Sequence, residues 1–277
     1  MAIPTFGRAR IEACFQRLQG KAAFVAYLMA GDPDVTTAVE ILRGLPDAGA
    51  DIIEVGMPFS DPMADGPAIQ LAAQRSLKVK TTIDDVLATV RAFRDGDQTT
   101  PVILMGYLNP VLSRGFERFA EEAREAGVDG MIVVDCPPEE SEVLDGALTS
   151  QGLSRIWLAA PTTDDERLKT LVKGASGFIY YVSVAGVTGV KEADAEAVRP
   201  AVERVRRASG LPVAVGFGIR TPERAAAVAQ VADGAVVGTA LVDALAEAVA
   251  AGKPPAPAVL EIARRLAEAV HGTPAKR

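Results

Sequence analysis

A parallel (β/α)₈ barrel is the fold this 277-residue chain predicts, and three observations predict it. Short apolar runs alternate with amphipathic segments along the whole chain. Eight such runs begin near residues 22, 51, 101, 130, 155, 177, 212 and 234. Most are continuous rather than alternating, as parallel strands buried on both faces require. The length also suits one large α/β barrel without a second domain. We therefore expect a single domain over residues 1–277, with an ordered core of about 5–270.

In chain order, Thr5 to Leu18 places Phe6, Ile11, Phe15 and Leu18 at mostly helical spacing, which reads as a cover for the bottom of the barrel. Ala22 to Met29 is a strand ending at Ala30-Gly31-Asp32-Pro33, and Val35 to Leu45 is the helix after it. The strand carrying Glu54 follows. Ala68 to Leu77 and Ile83 to Phe93 are two consecutive helices. Next come the strand Pro101 to Tyr107, the loop Leu108-Asn109-Pro110 and the helix Phe116 to Ala126. Gly130 to Val134 leads into Asp135-Cys136-Pro137-Pro138, and Glu139 to Leu148 is helical. Ile156 to Ala159, Gly177 to Val182, Pro212 to Phe217 and Gly234 to Val237 are the remaining strands. They alternate with helices over Asp164 to Val172, Ala193 to Ala208 and Pro222 to Val231. Leu241 to Ala250 and Pro257 to Val270 close the chain. A doubly wound open sheet is the rival architecture, but no GxGxxG follows the first strand to support it.

Apolar residues make up 49% of the chain and charged residues 23%, which builds a large core inside a soluble surface. A net charge of −7 argues against a nucleic-acid partner, so any anion must be held locally. Neither a signal peptide nor a run of about 18 apolar residues is present, so no membrane is expected and the cytoplasm is the default location. Cys14 and Cys136 have no CxxC spacing and read as apolar fillers; no metal site is expected. The lone histidine, His271, sits near the end of the chain, so carboxylates must perform any proton transfer unless the tail folds back.

Two carboxylates stand out. Glu54 interrupts the apolar run Asp51-Ile52-Ile53-Glu54-Val55-Gly56 near the carboxyl end of a buried strand, and Asp65 lies in the proline-rich loop after it. A buried carboxylate is costly unless it is partnered or held protonated for chemistry. Two acids in different environments can divide acid and base roles. The purely structural alternative is that Glu54 caps a neighbouring strand and Asp65 starts the next helix. In a barrel, Glu54, Asp65, Asp135 and Gly186 all meet at the carboxyl-terminal rim. Glycine-bearing segments follow the last three strands: Gly186-Val187-Thr188-Gly189, Gly216-Phe217-Gly218-Ile219 and Gly238-Thr239-Ala240. The last opens a short helix, whose free amides and dipole favour an anion such as phosphate.

The run Phe59-Ser60-Asp61-Pro62-Met63-Ala64-Asp65-Gly66-Pro67-Ala68-Ile69-Gln70 resembles the signature of the tryptophan synthase alpha chain family. Ala30-Gly31-Asp32-Pro33, Met105-Gly106-Tyr107-Leu108-Asn109-Pro110, Asp135-Cys136-Pro137-Pro138-Glu139-Glu140, Gly186-Val187-Thr188-Gly189 and Gly216-Phe217-Gly218-Ile219 follow in that family's order, and the match runs from roughly Phe6 to Val270. The resemblance implies a barrel lyase that cleaves indole-3-glycerol phosphate to indole and glyceraldehyde 3-phosphate. It implies no cofactor in this chain, and a beta-chain partner in an alpha2beta2 complex that carries pyridoxal phosphate. By the same resemblance Glu54 is the general acid/base and Asp65 faces the indole N–H. Tyr180 contacts substrate, Phe217 packs on indole, and Thr188, Gly189, Gly218, Gly238 and Thr239 belong to the substrate and phosphate site. Asp61, Pro62, Asn109 and Pro137 sit on the face where the partner would dock. Thr239 replaces a more usual serine, Cys136 a frequent leucine, and Val184 a basic residue found in some members; none removes a catalytic group. A Schiff-base aldolase needs a lysine inside a strand, and none is there. A non-catalytic barrel that only binds and activates a beta partner has no need of two poised carboxylates.

Overall fold

The computed structural model describes residues 6–182, 195–216 and 218–274. Thr188, Gly189 and Phe217, with Val184, lie outside the described residues. The first half runs α1 (Arg8–Leu18), β1 (Ala23–Met29), α2 (Val35–Gly44), β2 (Ile52–Gly56), α3 (Pro67–Lys78), α4 (Ile83–Arg94), β3 (Val102–Gly106), α5 (Leu108–Arg114), α6 (Phe116–Ala126) and β4 (Gly130–Val133). After a 3₁₀ turn at Pro138–Glu140 come α7 (Glu142–Ser150), β5 (Ser154–Arg155), β6 (Trp157–Ala159), α8 (Asp165–Leu171), β7 (Ile179–Val182), α9 (Ala195–Ser209), β8 (Val213–Gly216), α10 (Pro222–Val231), β9 (Gly234–Val237), α11 (Thr239–Ala250) and α12 (Pro255–His271). Helix starts follow local chemistry. Asp34, Thr82, Asp164 and Thr221 each accept a hydrogen bond from the backbone N–H three residues on, satisfying an otherwise orphan donor.

All strand pairs are parallel, and the order is β5-β4-β3-β2-β1-β9-β8-β7-β6. Only Ile156 separates β5 from β6. The fifth strand predicted from sequence is therefore one segment in two pieces: its start pairs with β4, its end with β7, and this closes the barrel. Side chains divide by strand parity. Phe24, Ala26 and Leu28 of β1, like Ile53 and Val55 of β2, point outward into the layer shared with the helices. Val25, Ile52, Ile103, Ile132, Ile156, Phe178, Ala214 and Val236 point inward and fill the lower barrel.

Helix α1 plugs that lower end, burying Ile11 and Cys14 against the inward layer, as a bottom cover should. A buried ion cluster fixes it there. Asp129, just before β4, is 0% exposed; its carboxylate takes Arg10 Nη1 at 2.5 Å, Arg94 Nη2 at 2.7 Å and the backbone N–H groups of Gly7 and Val102. His271 does fold back, but onto this same end: its Nε2 lies 2.7 Å from Asp51 Oδ2 at the start of β2. It is thus remote from the carboxyl-terminal mouth. Both cysteines are buried, and burial pushes the Cys14 thiol up to about 12, so it packs as an apolar group.

One predicted loop is a helix. Leu108-Asn109-Pro110 forms the first turn of α5, because proline at the third helical position lacks only an N–H that has no intrahelical partner there. Asp135 helps to start that turn by accepting from Leu108 N at 2.7 Å. Asp135 is thus spent on joining the β3 and β4 loops and does not line the central cavity described next.

Candidate active site

A cavity of about 440 Å³ opens at the carboxyl-terminal ends of the strands. Glu54, Asp65, Tyr180, Gly218, Gly238 and Thr239, all singled out from the sequence, line it. Asp61 and Pro137 are exposed residues of neighbouring loops, Asn109 is exposed in the first turn of α5, Pro62 is half-buried, and none of the four lines the cavity. Asp61 accepts a hydrogen bond from Ser60 Oγ at 2.6 Å within its own loop.

Glu54 reaches the cavity because β2 alternates. Ile53 and Val55 face the helices, so Glu54 faces inward, level with Tyr27 on β1 and Ile103 on β3. It is 1% exposed, and neither carboxyl oxygen has a hydrogen-bond partner among the described residues. The strand-capping alternative for Glu54 thus finds no support. Burial, with a smaller push from the charge on Asp65, raises its pKa to about 8. Asp65 sits in the loop between β2 and α3. Burial raises it to about 6, and the Tyr107 hydroxyl acts against that rise. Gly66, not Asp65, caps α3; Asp65 contributes only its carbonyl, which accepts from Gln70 Nε2 at 2.8 Å. At neutral pH the cavity therefore holds one protonated and one largely ionised carboxyl group, an acid beside an anion.

Two tyrosines complete the walls. Burial and the two carboxylates push Tyr27 and Tyr180 well above the ordinary tyrosine range, so both keep their hydroxyl protons. Glycines make room for them: a Cβ on Gly56 would lie 2.2 Å from Tyr27 Oη, and one on Gly216 would lie 2.3 Å from Tyr180 Oη. At the end of β9, two strands along from β2, Gly238 caps α11 without any side-chain hydrogen bond, and it and Thr239 face the cavity. A Cβ on Gly238 would press on the Tyr27 ring at 3.2 Å. Gly218, at φ +59°, adopts the left-handed backbone that favours glycine. No lysine or arginine lines the cavity among the described residues, so an anion there meets amides and a helix dipole. Nor is any group of three or more His, Cys, Asp or Glu side chains placed to hold a metal ion among them.

Sequence reasoning missed Tyr27 and Tyr107. A tyrosine inside an otherwise apolar strand, at the level of an inward glutamate, was the available signal for the first. Tyr107 gave none, since its partners come from a loop more than forty positions earlier.

Fold and cavity together define a (β/α)₈ barrel of the enzyme class whose carboxyl-terminal mouth holds a pair of carboxyl groups in different environments. The family model for the tryptophan synthase alpha chain matches residues 15–271. A tryptophan synthase alpha chain from Phenylobacterium zucineum is 64% identical over 265 residues, covering 95% of this chain and 96% of its own. One from Caulobacter vibrioides is 62% identical over 263 residues, covering 94% and 96%. The crystal structure of tryptophan synthase subunit alpha from Legionella pneumophila superposes with a TM-score of 0.89 at 42% identity, covering 95% of this chain and 98% of that one. Tryptophan synthase from M. tuberculosis, in a ligand-free form, gives 0.84 at 36% identity, covering 95% and 99%. The chain belongs to the tryptophan synthase alpha chain family.

Proposed function

We propose that this chain catalyses the retro-aldol cleavage of indole-3-glycerol phosphate to indole and glyceraldehyde 3-phosphate, beside a beta chain in an alpha2beta2 complex in the cytoplasm. The observation that carries the mechanism is the Glu54 carboxyl group, buried without a hydrogen-bond partner and facing the same cavity as Asp65. Breaking the bond between indole C3 and the side chain needs a proton at C3, loss of the proton from the adjacent hydroxyl, and relief of positive charge growing towards N1. Protonated Glu54 supplies the first and, once ionised, accepts the second. Ionised Asp65 opposes the third. Tyr180 contacts the substrate and Phe217 packs on its indole ring. Thr188 and the amides of Gly189, Gly218, Gly238 and Thr239 complete the substrate and phosphate site, a reading supported by the start of α11, which no side chain caps.

Pyridoxal phosphate belongs to the beta chain. With no lysine on the described cavity wall, Schiff-base chemistry has no residue here to use. Asp61, Pro62, Asn109 and Pro137 form the partner face, from which docking presses on the loop that carries Asp65. No described helix is long and apolar enough to cross a membrane, in keeping with a cytoplasmic setting. The experiment is indole release from indole-3-glycerol phosphate, with and without a beta chain. A chain that releases no indole under either condition, yet still stimulates the beta chain, is the non-catalytic barrel instead.

A further inference from the structure

We infer that Tyr107 is a positioning residue for the cleavage reaction, holding Asp65 at its working place from outside the cavity; this rests on the function proposed above. Tyr107 follows the last residue of β3 and is the residue from which α5 starts, so its backbone belongs to the rigid rim. Two contacts tie the loop of Asp65 to it. Its ring stacks on Phe59, with centroids 5.1 Å apart and planes 29° apart, and its hydroxyl oxygen accepts from Ala64 N at 3.0 Å. The first contact holds the loop near its start, the second one residue before Asp65.

The hydroxyl chemistry extends the argument. An oxygen that accepts from Ala64 must direct its own proton elsewhere, and the Asp65 carboxylate is the neighbouring group that lowers its energy by receiving it. Asp65 in turn acts on Glu54 of β2, Tyr27 of β1 and Tyr180 of β7, each of which its charge helps to keep protonated. Those three line the cavity, whereas Tyr107 does not, so Tyr107 serves the reaction without touching substrate. It is also the shortest covalent link between Asp65's anchor and the first turn of α5, where Asn109 and Pro110 are found. A displacement of that turn moves the hydroxyl on which Ala64 hangs.

The test uses the full chain with Tyr107→Phe, Asp65→Asn and the double variant. Tyr107→Phe keeps the ring stacked on Phe59 and deletes only the hydroxyl. We expect kcat to fall roughly ten- to hundredfold, the worth of one hydrogen bond to a charged group, with little change in KM. In the Asp65→Asn background the same substitution is expected to cost nothing further, because both act through one group. A ¹³C-carboxyl NMR titration reads Asp65 without turnover, and its midpoint is expected to move to higher pH in Tyr107→Phe. That measurement keeps the inference separate from the proposed reaction, whose failure appears as absent indole release in the unmodified chain. Losses that multiply in the double variant, or an Asp65 midpoint unmoved by removing the hydroxyl, overturn the positioning role.

Discussion

Replacing Glu54 by glutamine is expected to make the protein more stable in alkaline solution while disabling it. The folded carboxyl holds its proton to about pH 8, whereas the ordinary value is 4.5. Below the lower value both folded and unfolded chains are protonated at this position, and the stability it supports is fully present. Between the two values the unfolded chain releases the proton and the folded chain does not. Wild-type stability therefore falls as pH rises, by about 1.4 kcal/mol per pH unit, reaching an upper bound of about 5 kcal/mol near pH 8. Glutamine does not titrate, so the stability of Glu54→Gln relative to wild type rises over the same window. A constant offset from the new amide leaves that slope intact. Urea unfolding of both proteins at several pH values between about 5 and 9 measures it. A difference that stays flat across this range refutes the reasoning, since Glu54 would then ionise as an ordinary surface acid. Indole release should meanwhile fall by about 10²–10⁴, the usual worth of a general acid/base; near wild-type turnover removes Glu54 from the mechanism.

Cleavage by the wild-type enzyme should decline as pH rises through about 8, where Glu54 loses the proton it must deliver. In Asp65→Asn, whatever turnover survives should decline at lower pH, because a negative neighbour that helps Glu54 keep its proton is gone; an alkaline limb that stays in place separates the two carboxylates. At the other end of the barrel, Asp129→Ala leaves Arg10 and Arg94 buried without their shared carboxylate. It should cost about 3–5 kcal/mol of unfolding free energy, and a loss below about 1 kcal/mol in urea denaturation counts against the cluster as the anchor of α1.

The barrel was legible because its strands announce themselves locally. A run such as Ala23 to Met29 is buried at every position and apolar but for the Tyr27 hydroxyl, and only a strand covered on both sides needs that. The loop from Pro58 to Gly66 was legible for a similar reason, since Pro58, Pro62 and Gly66 end β2 and start α3 within a short stretch. The first turn of α5 was not, because proline and asparagine mark loops and helix starts alike. That choice is settled by Asp135, which arrives from the next strand to accept from Leu108 N.

By itself the sequence determined the order of strands and helices, the presence of Glu54 and Asp65 at the ends of neighbouring segments, and the glycines after the last strands. Whether those two acids would be an acid and an anion was a matter for the tertiary structure. Ionisation depends on which groups lose water and which charges stand beside them. For Glu54 those neighbours come from β1 and from the loop beyond β2, brought together only when the sheet closes. Closure likewise decided that Arg10 would share Asp129 with Arg94, that His271 would settle at the far end, and that Tyr107 would reach back to Ala64. Periodicity is local and survives in one dimension. Burial and electrostatic coupling are sums over neighbours in three dimensions, and these supply the chemistry.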